Sequence, residues 1–149
     1  MAFTPDVIVT TDYSPATIAL VAEAKGAGAN LDEVALRLKH YMLRMNCPVG
    51  IIFTPQILRI YKDRFLGRTA DSIELVGDFP TGELFNPRQS VAGEESPVES
   101  ALFEWLDELA HTGQVRVSDL HLKSAINEHI LPAVSGGRVS IAHPGTLEH

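Results

Sequence analysis

The sequence predicts an α/β fold: a mixed sheet that opens with a β-hairpin, continues into a β-α-β unit, and is followed by a C-terminal helical pair. Three observations predict it. Short β-branched runs bounded by Pro and Gly alternate with 3.6-period apolar stripes. One strand leads through a glycine-containing connector directly into a capped helix. Hydrophobic residues make up 45% and charged residues 21% of the 149 positions, with mean hydropathy +0.06, the balance of a chain that buries a core.

The elements follow in order. Asp6-Val-Ile-Val-Thr-Thr-Asp12 reads as a strand after Pro5. Tyr13-Ser-Pro-Ala-Thr17 turns the chain, and Ile18-Ala-Leu-Val-Ala-Glu-Ala-Lys25 returns as a buried, antiparallel partner. Gly26-Ala-Gly-Ala29 connects to a helix begun by Asn30, with Glu33 as capping-box partner, and ending near Asn46 before Pro48. Val49–Thr54 is a buried strand, Pro55-Gln56 a turn, and Leu58–Lys62 a half-buried strand. Ser72–Val76 is a further strand. Residues 80–97, broken by Pro80, Gly82, Pro87, Gly93 and Pro97, read as a loop or linker. Ser96 as N-cap and Pro97 at the first helical position open a helix whose stripe is Leu102, Trp105, Leu106 and Leu109, closed by Gly113. A second helix spans about 119–131 and stops at Pro132, and Arg138–His143 is a terminal strand. Residues 147–149 read as a tag remnant.

Charge divides the chain. Residues 1–70 carry eight basic and six acidic side chains, net +2, and residues 71–149 carry four and thirteen, net −9. The net −7 argues against a general nucleic-acid coat protein and leaves open a local basic face on the first half. The single Cys47 excludes an internal disulfide and a cysteine zinc site. With no secretory leader and no long apolar span, a cytoplasmic protein without membrane association is expected.

The chemistry-bearing pattern is Pro5-Asp6, then Glu23-Ala24-Lys25. Pairing Asp12 with Ile18 places Asp6 opposite Ala24, one rung from Glu23 and Lys25, so two acids and an ammonium converge at a strand end. Two clustered carboxylates with oxygen ligands to offer suit Mg²⁺, and an adjacent lysine suits a phosphoryl transition state. A cross-strand ion cluster at a sheet margin is the plain alternative. Elsewhere, Gly26-Ala-Gly-Ala-Asn-Leu31 imitates a dinucleotide fingerprint but puts Leu31 at its third small position, so a connector is the better reading. The six histidines contain no H-x-x-x-H pair.

Pro5-Asp6, Glu23-Ala24-Lys25, the helix that follows, Cys47–Thr54 and Leu58-Arg-Ile-Tyr61 together resemble the PD-(D/E)xK nuclease superfamily, in particular the N-terminal nuclease domain of type I restriction enzyme R subunits. The resemblance covers roughly residues 3–66. It implies a restriction-endonuclease-like core, placed at 1–79; the composition of 80–97 and the helices after it make 80–97 a linker and 98–146 a helical accessory region expected to pack on that core. It implies Mg²⁺-dependent hydrolysis of DNA, with Asp6 and Glu23 as ligands for Mg²⁺ (or Mn²⁺) and Lys25 as base or electrostatic stabiliser. Further subunits of a restriction-type complex are the implied partners. A subset of the superfamily carries Gln-x-x-x-Tyr on the next helix. Here Arg37-Leu-Lys-His-Tyr41 keeps the Tyr and replaces the Gln, and Arg37, Lys39 and Tyr41 are the expected nucleic-acid contacts. The rival reading is a domain of the same fold that binds DNA or a partner protein without cleaving.

Overall fold

A computed structural model describes residues 5–11, 17–85 and 95–141. Its sheet has six strands: β1 (Val7–Thr10), β2 (Ile18–Ala24), β3 (Val49–Phe53), β4 (Ile57–Asp63), β5 (Ile73–Pro80) and β6 (Arg138–Ile141), in the order β5-β4-β3-β2-β1-β6. Among the described residues, β2 and β3 are parallel and the other four neighbouring pairs are antiparallel. The sheet is mixed, as the fold class requires, and the β-hairpin followed by β-α-β is present.

The helix α1 (Leu31–Met45) makes the parallel connection. Asn30 Oδ1 accepts from the Glu33 amide at 3.3 Å, and Asn46 ends the helix in left-handed backbone, φ 53°. Val34, Ala35, Leu38 and Met42 bury against Val21, Ile52 and Tyr61 on one sheet face. Gly50 is where the helix comes closest: a Cβ there would lie 2.5 Å from Met42 Sδ.

The other face is covered by α2 (Glu95–Thr112) and by α3 (Leu120–Ala125), which runs through a π-helical turn at Ile126–Ile130 into α4 (Leu131–Val134). Val98, Leu102, Leu106, Leu122, Ile126 and Ile130 meet Val7, Val9, Leu20, Ala22, Ile51 and Phe53 there. Alternate residues of β2 therefore enter two different cores, which is why its sequence is a near-continuous apolar run. Residues 98–141 form one complete layer and the edge strand β6 of this sheet. Trp105 anchors α2 at the rim, stacked on Phe53 with ring centroids 5.8 Å apart.

Several boundaries differ from expectation. Thr11 and Thr17 close the hairpin: the Thr11 amide donates to Thr17 O at 2.9 Å and the Thr17 amide to Thr11 Oγ1 at 3.0 Å. Ile18 therefore pairs with Thr10, after an irregularity between Val9 and Thr10. The expected Asp12–Ile18 pair involves Asp12, which lies outside the described residues. β5 starts at Ile73 and runs to Pro80, overrunning the expected linker, because Arg59 on β4 clamps Asp78 opposite it through two bonds of 2.7 and 2.9 Å. A 3-10 turn at Gly82–Leu84 then buries Leu84. Most of the remaining linker, 86–94, lies outside the described residues. α2 begins at Glu95, so Ser96 and Pro97 fall in its first turn rather than at its cap; the side chains of Glu95 and Ser96 are not among those described. Pro132 does not end its helix. The Leu131 amide reaches back to Ile126 O, and this wider turn lets the proline enter near the start of α4 instead of breaking a regular ladder. β6 is described to Ile141, and the expected His143 end and residues 147–149 lie beyond.

Candidate functional site

The expected register put Asp6 opposite Ala24. The observed pairs Val7↔Ala22, Ile8↔Val21 and Val9↔Leu20 put it one residue over, opposite Glu23. This matters because directly opposed residues share a sheet face. Two hydrogen bonds fix the placement. The Asp6 amide donates to Ala22 O at 3.1 Å, and the Ala24 amide donates to Asp6 Oδ2 at 2.8 Å. Asp6 is thus held between the two neighbours of Glu23.

Face assignment follows from packing. Ala22 and Ala24 enter the core under α2, whereas Val21 enters the core under α1. Glu23 therefore points to the α1 side, and it is only 3% exposed. Lys25, two residues on, continues the ladder through its amide to Phe53 O at 3.0 Å, which keeps it on the side of Glu23. Asp6, Glu23 and Lys25 gather at the end of β2 where the chain passes into the glycine connector and the start of α1. A carboxyl group buried as deeply as Glu23 is costly unless hydrogen-bond donors or cations compensate it. Among the described residues no three His, Cys, Asp or Glu side chains form a ready-made metal cage. The donor chemistry is of the type Mg²⁺ takes, since this ion is commonly held by one or two carboxylates, with waters and substrate phosphates completing its shell.

The three expected nucleic-acid contacts divide. At about 100° per residue, Arg37 and Tyr41 share a flank of α1 and Lys39 lies on the opposite one. Lys39 Nζ sits 5.2 Å over the Tyr61 ring on β4, so its flank looks toward β4 and β5. Arg37, which is exposed, and Tyr41, which is half-buried, look the other way, toward β1 and β6. Arg44 Cζ lies 5.3 Å over the Tyr41 ring. Burial pushes the Tyr41 hydroxyl above its ordinary pKa, nearby Cys47 adds to the rise, and Arg44 opposes it; this phenol stays protonated at neutral pH. Cys47 is fully buried, with its thiol pushed up to about 12 by burial, and is no nucleophile.

One cation on this side was not expected. Arg138 of β6 pairs with Thr10, and Val139 next to it enters the core under α2, so Arg138 shares the face of Thr10, Ile8 and Asp6. It is exposed. Only the β1–β6 register reveals it, and no local pattern in the sequence carries that register.

No protein family matches the sequence, and neither a curated protein nor a solved structure is significantly similar to it.

Proposed function

We propose that this chain is a Mg²⁺-dependent endonuclease of the PD-(D/E)xK, restriction-endonuclease-like kind, hydrolysing phosphodiester bonds in DNA. The observation that carries the reading is the placement of Asp6 across from the buried Glu23, on one sheet face with Lys25. Asp6 and Glu23 would hold the ion, Mg²⁺ or Mn²⁺. When bound, it supplies Lewis acidity and lowers the pKa of a coordinated water. The chain's own contribution is positional and electrostatic. The Ala24 amide orients the Asp6 carboxylate by fixing Oδ2. The strand fixes Glu23. Lys25 places a positive charge where a phosphorane gathers negative charge, or takes the proton of the attacking water. Arg37, Tyr41 and Arg138 border the sheet face beside α1 along which a DNA backbone would run.

Nicking of supercoiled plasmid DNA in Mg²⁺ or Mn²⁺ tests this. The unmutated chain nicks, and Lys25→Ala lowers the rate on the order of 10²–10³ while leaving DNA affinity nearly unchanged, since one charge among several supplies little of the electrostatic attraction. Glu23→Gln lowers it as well, by weakening metal binding. Absence of metal-dependent cleavage of single- and double-stranded DNA by the unmutated chain refutes the enzyme. One observation favours the rival, a domain that binds DNA or the other subunits of a restriction-type complex without cutting. Asp6 Oδ2 is already engaged by the Ala24 amide, as a purely structural aspartate would be.

A further inference from the structure

At the far end of α1, about 20 Å along its axis from Glu23 by the rise of its fifteen residues, lies a second cleft of about 650 Å³. Its walls include His40 and Arg44 from the last turns of α1, Asp63 at the end of β4, and Phe65 and Arg68 from the segment after it. It shares no residue with the Asp6–Glu23–Lys25 group.

Three features of this cleft need explaining together. Phe65 is 68% exposed and so is Leu66, although large apolar side chains are costly to leave in water. Phe65 also has φ 56°, left-handed backbone that a bulky residue rarely adopts. That conformation is held by a buried frame: Asp63 Oδ1 accepts from both the Phe65 amide and the Ser72 hydroxyl, and Ser72 Oγ accepts from the Leu66 amide. The Asp63 carboxylate is thereby spent inside the protein. Finally, Arg44 and Arg68 are both exposed, and among the described residues neither is ion-paired.

We propose that this cleft binds single-stranded nucleic acid, with one base stacked on Phe65 and the flanking phosphates neutralised by Arg44 and Arg68. A presented aromatic face beside planar guanidinium groups is the chemistry that holds an unpaired base and its backbone. The ring of His40 supplies a further donor to the same wall. A duplex keeps its bases stacked away from such a ring, so single strands are the class that fits. Five of the thirteen acids in residues 71–149 lie on α2, in the layer across the sheet from α1, and the nearer Glu74 and Asp78 on β5 are paired with Arg64 and Arg59.

The test is fluorescence anisotropy of a labelled oligo(dT) 15-mer titrated with the whole chain in EDTA, so that no cleavage intervenes. Phe65→Ala weakens binding about tenfold, in line with the loss of one stacked base, with an unchanged melting temperature because the ring is exposed. The pair Arg44→Ala and Arg68→Ala lowers the slope of log affinity against log salt by about 1.4, two single-strand phosphates. The proposal is overturned if the unmutated chain does not bind oligo(dT), or if Phe65→Ala binds it undiminished. It is also overturned if thymidine monophosphate binds as tightly as the oligonucleotide, or if Phe65→Ala dissociates a dimer while oligonucleotide affinity holds. Metal-dependent nicking that survives any of these outcomes leaves the nuclease reading standing alone.

Discussion

Replacing Gly50 by alanine probes how closely α1 is pressed onto the strands beside Glu23. The added Cβ would lie 2.5 Å from Met42 Sδ and 3.3 Å from Leu38 Cγ and Cδ2. An ordinary carbon–sulfur contact is more than an ångström longer than the first. Met42 and Leu38 are both 0% exposed, so Met42 has to move inside a packed core. Overpacking of this kind costs about 1–3 kcal/mol. At about 2.1 cal/mol/K per residue, 149 residues unfold with an entropy near 0.3 kcal/mol/K, so the melting temperature should fall by about 3–10 °C. Met42→Ala alone costs about 2–5 kcal/mol through its cavity. In the double variant the new methyl occupies part of that cavity, and the two losses should fall short of additivity by about 1 kcal/mol or more. Calorimetry of the four proteins measures all of these terms. An unchanged melting temperature for Gly50→Ala, or strict additivity in the double variant, refutes the close approach of α1 at this point.

Two further expectations rest on other parts of the structure. Gly137→Ala should destabilise more than Gly50→Ala, because its Cβ would meet the backbone oxygens of Thr10 at 2.9 Å and Val134 at 3.2 Å, which cannot swing aside; equal melting temperatures for the two variants would contradict the docking of α4 and β6 on β1. Cys47 should resist a thiol reagent at pH 8 until the chain is unfolded, and its ionisation gives a pH dependence of known sign. The folded thiol is raised to about 12 from an ordinary 9.0, so above pH 9 the unfolded state loses its proton first. Stability should therefore decline from about pH 9 toward 12, and Cys47→Ala should flatten that limb of a denaturant series.

Local signals carried much of this architecture. Asn30 and Glu33 mark the start of α1 because a cap is satisfied within one turn of chain, and the stripe Val34, Ala35, Leu38, Met42 marks its buried face. The apolar run of β2 announces burial on both sides. The composition of residues 80–97 is equally local, yet Pro80 ends a strand there, because the Arg59–Asp78 clamp across β4 and β5 outweighs what proline and glycine prefer. The residue types of the candidate site were legible for the same reason as the caps: Asp6, Glu23 and Lys25 sit on segments whose strand character is written in their neighbours. Their geometry was not. Whether Asp6 shares a face with Glu23 depends on a one-residue register choice, made by the Thr11–Thr17 closure and the irregularity after Val9. Lys39 parts from Arg37 because α1 is seated with one flank over Tyr61, and Arg138 joins the site's face because β6 returns beside β1 from the other end of the chain. Sequence alone determined which segments would be strands, which would be helices, and which side of each would be apolar, since these follow from periodicity and capping over a few residues. Only the tertiary structure decided which functional groups meet, because cross-strand register and helix seating arise from contacts between segments far apart in the chain, each too weak to be imposed by its own residues.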